Sequence, residues 1–282
     1  LNRTALLLST LLAVAASVPA HADVLSDVRA AKVIRMGYLE TSPPFSYREG
    51  TEIKGYSAAL CEKVAQSIRT ELGLDSLKIE WVPVTLANRL ELVEKGKVHV
   101  DCGTATWTLA RQKRVDFSLM TFVDGGSVLV KNDTDFFKLE DFAGKRIAVV
   151  KGTTTERSVP DALKLRNVAA TVVAVDSAET GVAQVQAGKA DGFASDRLKL
   201  IGLALNAAQA GTYRVVDEDF SIEPYALVVP RGDPDFRLAV NRGLARVYRS
   251  GEIVQVYERW LGPLGKPGML LNALYYLQRI PE

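Results

Sequence analysis

Apolar and polar positions alternate along this chain in two rhythms, and the rhythms change places in a regular order. Lys32–Leu39 is a short apolar run that ends in the turn Thr41-Ser42-Pro43-Pro44, which predicts a strand. Gly55–Leu72 places Leu60, Val64, Ile68 and Leu72 on one helical face, with Ser57 as a candidate cap. Leu77–Val82 predicts a strand, Leu86–Glu94 a helix stopped by Gly96, and Val98–Cys102 a further strand. The series then restarts. Ser127–Lys131 predicts a strand, Leu139–Phe142 a connector, and the almost purely aliphatic Arg146–Val150 a strand covered on both faces. Gly152-Thr153-Thr154-Thr155 leads into a helix, followed by a strand at Val172–Val175, a helix at Thr180–Ala187 and a strand at Asp191–Ala194. Near the end, Tyr225–Val229 predicts a strand. Pro234–Arg249 and Glu252–Leu261 predict helices separated by Gly251, and Met269–Ile280 has helical spacing.

Strands that alternate with helices indicate a mostly parallel α/β sheet, here in two similar units. No low-complexity linker separates them, so the junctions near Phe122–Gly126 and Ser221–Tyr225 are expected to be hinge crossings. Two crossings would make the first unit discontinuous, with 23–123 and 223–282 in one lobe and 124–222 in the other.

The apolar run Ala5–Val18 breaks this pattern. It follows the single charge Arg3 and precedes Pro19 and the small-x-small triplet Ala20-His21-Ala22. That is the layout of a cleaved secretory leader, and the run is shorter than the ~20 apolar residues of a membrane span. A buried N-terminal helix is the alternative. Cleavage after Ala22 would leave 260 of the 282 residues and reduce the 35 Lys and Arg to 34, against 33 Asp and Glu. Such a balance gives no electrostatic case for nucleic acid or anionic membrane. The mature chain is expected to be soluble and exported. Export permits a disulfide between the two cysteines, Cys61 and Cys102, although two buried thiols also fit. A single mature histidine, His99, and two cysteines make no metal-ligand cluster.

Candidate chemistry lies where strands end, because α/β sheets place ligands at the carboxyl ends of their strands. After Val98–Cys102 come Thr104 and Thr106, then Thr108 as a candidate cap for a helix carrying Arg111. Hydroxyls, backbone N–H groups and a planar guanidinium together suit a carboxylate. A surface arginine in a patch with Lys113 and Arg114 is the alternative. Gly152 and Thr153 form a second such loop, able to donate N–H groups or simply to start a helix. Asp196, past Asp191–Ala194, could take an ammonium, cap a helix, or be neutralised by Arg197. Phe45, held by Pro43-Pro44, could cover a ligand or belong to the core.

Ordered together, these segments resemble the family 3 extracellular solute-binding proteins. The resemblance rests on Ser42-Pro43-Pro44-Phe45-Ser46-Tyr47, Gly55-Tyr56-Ser57, Asn88-Arg89 and Asp101-Cys102-Gly103-Thr104-Ala105-Thr106. It continues through Arg111-Gln112-Lys113, Val115-Asp116-Phe117-Ser118, Lys151-Gly152-Thr153-Thr154 and Pro224-Tyr225-Ala226-Leu227. The branch is similar to the glutamate/aspartate-binding proteins of polar amino acid ABC transporters. The resemblance implies a type II periplasmic-binding-protein fold of two α/β lobes, an amino acid in the cleft, an inner-membrane ABC permease as partner, no cofactor and a monomer. It implies Arg111, Thr104, Thr106 and Thr153 with Gly152 at the ligand α-carboxylate, and Asp196 at the α-ammonium. Arg89 would face an acidic or polar side chain or else lie on a helix surface, and Cys61 would be bridged to Cys102.

Departures bear on specificity. Leu39, Leu86, Ser177 and Ala178 stand where the branch brings basic or hydroxyl residues, and Trp107 stands where it prefers a small polar one. A polar neutral ligand is therefore as consistent as an acidic one. An exported enzyme similar to cyclohexadienyl dehydratases is the alternative function, with Glu156 its one candidate acid. A sensory module feeding a receptor is a third.

Overall fold

A computed structural model describes residues 23–205 and 211–282; the expected leader lies outside them. The first part of the chain forms α1 (Val24–Ala31), β1 (Val33–Leu39), a small three-stranded sheet of β2 (Thr41–Ser42), β3 (Ser46–Glu49) and β4 (Glu52–Lys54), then α2 (Tyr56–Glu71). β5 (Lys78–Val84), α3 (Arg89–Glu94) and β6 (Val100–Asp101) follow. β5 and β6 flank β1, both parallel to it. The next part forms β7 (Asp116–Lys131), β8 (Arg146–Val150), α4 (Thr155–Leu165), β9 (Thr171–Val175), α5 (Ala178–Gln186), β10 (Gly192–Asp196) and α6 (Arg197–Ala204). β8 is parallel to both β9 and β10. The chain closes with β11 (Tyr213–Val215), β12 (Ser221–Val229), α7 (Pro234–Ser250), α8 (Glu252–Trp260) and α9 (Met269–Leu277).

The crossings are strands. β7 runs for 16 residues, and β12 pairs with it antiparallel from Ser221 opposite Gly126 to Val229 opposite Asp116. One continuous sheet results, in the order β5-β1-β6-β12-β7-β10-β8-β9, with β11 also on β7. The register shifts twice, on either side of Ala226. The expected strand Ser127–Lys131 is thus the second half of a longer one. Its first half was hidden because Asp116, Ser118 and Thr121 interrupt the apolar run.

Apolar side chains gather at both ends of this sheet. At one end α2, α7, α8 and α9 cover β1 and β12 around Leu60, Ile68, Leu227 and Leu244. At the other, α4 packs on β7 and β8 around Val130, Phe142, Ile147 and Val159. Gly181 of α5 sits against Phe193 of β10, where an added Cβ would lie 2.3 Å from the ring. Cys61 of α2 and Cys102, just past β6, form a disulfide with a Cα separation of 6.1 Å. The bridge closes a span of 41 residues, which contributes about 4 kcal/mol by restricting the unfolded chain. It pins α2 behind the loop that carries Thr104 and Thr106.

Candidate functional site

The carboxyl ends of β1 and β5 face those of β8, β9 and β10 across a cleft of about 590 Å³. Leu39, Val84 and Leu86 line it from one side, and Val150, Thr153 and Ala178 from the other. The two sides touch: Thr106 Oγ1 lies 3.3 Å from Thr154 Oγ1, and Gly202 of α6 packs so closely on Pro43 that a Cβ would lie 2.9 Å from its carbonyl oxygen.

Arg111 sits on a single 3-10 turn, Arg111–Lys113, rather than on the expected α-helix. Ala110 rather than Thr108 stands at its cap position, and the Thr108 hydroxyl accepts the Arg111 N–H at 3.1 Å. The guanidinium turns inward and donates from Nη1 to the Thr106 carbonyl at 2.8 Å, so Arg111 is not part of a surface patch. Burial, and then the charge of Arg89, push its pKa down to about 10, against the attraction of Glu223 and Asp196. It stays charged at neutral pH. Thr104 is buried with its hydroxyl unpartnered among the described residues.

Thr106 and Thr154 both donate to Glu223 Oε2, each at 2.7 Å, and Ser221 donates to Oε1 at 2.8 Å. Glu223 is buried in β12, so one carboxylate on a crossing strand joins the loops of both sides. Arg89 faces inward from the start of α3, with Nη1 3.9 Å from Asp101 Oδ2. Both are buried, and burial pushes the Asp101 pKa up while Arg89 and Arg111 hold it down. An added Cβ at Gly103 would lie 3.4 Å from that Nη1 and 3.2 Å from Leu39 Cδ1. Gly103 thus borders both Arg89 and a residue of the cleft wall.

Asp196 ends β10 and is buried. It stands at the cap position of α6 without capping it. Arg197 does not neutralise it: Arg197 pairs with Asp219 at 2.6 Å. Lys199 does, with Nζ 2.6 Å from Asp196 Oδ2, and Tyr225 donates its hydroxyl to the same oxygen. Asp124, on β7, lies near by; burial first, and then the Asp196 charge, push its pKa up to about 7.

In the second loop, Gly152 adopts φ +73° and donates its N–H to Glu156 Oε2 at 2.8 Å. Thr153 Oγ1 donates to the Val150 carbonyl at 2.6 Å and accepts the Glu156 N–H at 3.2 Å. Glu156 is therefore held by its own loop, and the Thr153 side chain faces the cleft with its proton already committed. The Trp107 backbone N–H donates to the Pro224 carbonyl at 2.7 Å, and the residue packs against the apolar cluster that contains Leu39 and Val84. His99 accepts the Arg35 N–H at 3.2 Å and is structural.

One expectation needs correction. Phe45 does not cover the cleft; it is fully buried in edge-to-face contact with Tyr56, Phe122 and Tyr225. The turn Pro43-Pro44 sends it behind the sheet, where three rings provide a better apolar partner than a half-wet ligand would.

The profile of the bacterial extracellular solute-binding proteins, family 3, matches residues 34–263. The chain belongs to that family. The L-glutamate/L-aspartate-binding protein of Pseudomonas aeruginosa is 30% identical over 275 residues, covering 95% of this chain and 91% of the relative. The glutamate/aspartate import solute-binding protein of Salmonella typhimurium is 27% identical over 256 residues, covering 90% and 85%. An ancestral arginine-binding protein bound to glutamine superimposes with a TM-score of 0.72 at 26% identity, covering 82% of this chain and 98% of that one. This family 3 chain is a solute-binding protein and not an enzyme; its curated relatives are named as binding proteins. Its sheet is the two-lobed type II arrangement, with β7 and β12 as the connections between lobes.

Sequence reasoning missed Glu223, Thr154, Lys199 and Asp124. A signal was present for the two acids, since each is a carboxylate within an apolar strand. Such a residue is buried at a cost unless it has partners.

Proposed function

We propose that this protein is the periplasmic receptor of an amino acid ABC transporter, exported through a leader cleaved after Ala22 and active as a monomer. It binds a polar or acidic L-amino acid between a lobe of residues 23–123 and 223–282 and a lobe of 124–222. The closed form docks on an inner-membrane permease.

The observation that carries this reading is the pair Arg111 and Asp196. Arg111 comes from the loop after β6, with its guanidinium turned inward onto the Thr106 carbonyl, and Asp196 from the buried end of β10. A free amino acid brings one carboxylate and one ammonium, the two groups this pair would neutralise. Arg111 takes the carboxylate, with the Thr153 N–H and the Thr104 hydroxyl as further donors. Asp196 takes the ammonium. Thr106 has a different part from the one its sequence suggests. Its proton goes to Glu223, so its oxygen can only accept, which suits the ammonium. Arg89, whose Nη1 is buried without a hydrogen-bond partner among the described residues, faces the ligand side chain.

Each charge-assisted hydrogen bond contributes about 1.5–3 kcal/mol. Three or four, less the costs of ordering, give a complex in the micromolar range, about −8 kcal/mol. Calorimetric titration of the mature chain with the twenty amino acids tests the reading. Binding in that range is expected for at least one, with a loss of about a hundredfold in Arg111→Ala. Absence of heat with all twenty overturns it.

A further inference from the structure

Asp196 is the proposed ammonium acceptor, and an ammonium already holds it. Lys199 Nζ lies 2.6 Å from Asp196 Oδ2. The pair spans the first turn of α6, with Asp196 at the cap position of that helix. Ser195 and Lys199 line the cleft while Asp196 is buried, so Lys199 touches both the cleft and the carboxylate.

The other neighbours of Asp196 are fixed. Tyr225 donates its hydroxyl to the same oxygen, and its ring is buried against Phe45 and Phe122. Arg197, the cation next in the chain, is held by Asp219. Lys199 differs from both. Its ammonium ends a flexible four-carbon stem, and it is the same chemical group that an amino acid brings. Exchanging one ammonium for another keeps Asp196 paired in both states, which avoids the cost of an unpaired buried charge. A released Lys199 remains in a space that Glu40, Asp176 and Glu179 also line, with Asp176 largely exposed.

We infer that Lys199 is a built-in competitor for the ligand ammonium: it holds Asp196 in the empty receptor and gives it up when an amino acid binds. The inference rests on the amino acid reading of the same cleft and deepens it. Lys199 sets the overall affinity and no preference among side chains, since every amino acid brings the same ammonium. The affinity falls by the fraction of time for which Asp196 is open. An acceptor open about one-tenth of the time costs about tenfold.

Calorimetry of the parent, Lys199→Met and Lys199→Gln tests this, with the twenty amino acids and with glutarate, which is glutamate without its ammonium. Every amino acid that the parent binds is expected to bind both variants about tenfold more tightly. Glutarate is expected to gain nothing, because it leaves the Lys199–Asp196 pair in place. The ligand-free variants are expected to melt at a lower temperature than the parent, since Asp196 has lost its partner, and to recover more when ligand is added. Unchanged or weaker amino acid binding in the folded variants overturns the inference and leaves Lys199 a structural ion pair, with the receptor reading intact. An equal gain for glutarate also overturns it, because the effect then does not involve the ammonium. Should neither variant fold, the parent decides. In a crystal structure of its amino acid complex, Lys199 Nζ is expected beyond hydrogen-bond reach of Asp196, and a lysine still paired there overturns the inference. Absence of heat with all twenty amino acids in all three proteins overturns the receptor reading along with it.

Discussion

Asp124 and His99 are buried groups whose titrations pull the stability of the fold in opposite directions. Burial and the neighbouring Asp196 raise Asp124 to about 7, so the folded chain holds a proton that the unfolded chain has released above its ordinary value of 3.8. Its contribution to stability is therefore full at low pH and is lost as pH rises from about 4 to about 7. Burial, then the charge of Arg35, lower His99 to about 4 from 6.5. There the unfolded chain takes up the proton, and stability is lost as pH falls through the same window. Asp124→Asn removes the first slope and leaves the second. Its urea midpoint is expected to climb more steeply than the parent's between pH 4 and 7; an unchanged slope would remove Asp124 as the proton holder. At this scale the sequence marked Arg111 and Asp196 as candidates by their position after a strand, and the structure shows the Arg111 guanidinium turned inward and Asp196 buried. It was not legible for Phe45, because the two sides of one turn are a few ångströms apart and only packing chooses between them.

Among the elements, helices with one apolar face were predicted well. α2 and α7 each bury a stripe at helical spacing, including Leu60, Val64 and Ile68 in one and Phe236, Val240 and Leu244 in the other. Elements held by long-range pairing were not. α1, the small sheet β2–β4 and the first half of β7 have weak local patterns. α9 is informative because it lies beyond residue 263, where the family match ends. It buries Leu271, Leu274 and Tyr275. Tyr56 Oη donates to the Thr121 carbonyl at 2.7 Å, so its 2.7 Å contact with Tyr275 is donated by Tyr275. Leu274→Ala is expected to cost about 2–3 kcal/mol, read as a lower urea midpoint, with ligand affinity unchanged. A variant as stable as the parent would mean that α9 merely rests on the surface.

For the molecule as a whole, the contact to watch is Thr106–Glu223–Thr154. It joins a loop of one lobe to a loop of the other through a residue on the connecting strand β12. Two charge-assisted bonds hold the sides together there, each worth about 1.5–3 kcal/mol. Thr154→Val removes one and leaves Glu223 with Thr106 and Ser221. The ligand-free variant is expected to scatter X-rays with a larger radius of gyration than the parent, and to bind ligand several-fold more weakly. Equal radii would show that this contact does not hold the cleft shut.

Taken alone, the sequence determined the alternation of helix and strand, the two-unit plan and the loops that leave the carboxyl ends of the strands. These follow from local periodicity and from the chemistry of short segments, which the chain carries wherever it folds. Only the tertiary structure decided which charges meet. Thr106 and Glu223 are 117 residues apart and Asp124 and Leu198 are 74, so these partners meet through the sheet rather than through their neighbours in the chain. Electrostatic pairing depends on distance and burial, and neither exists until the strands have been laid side by side.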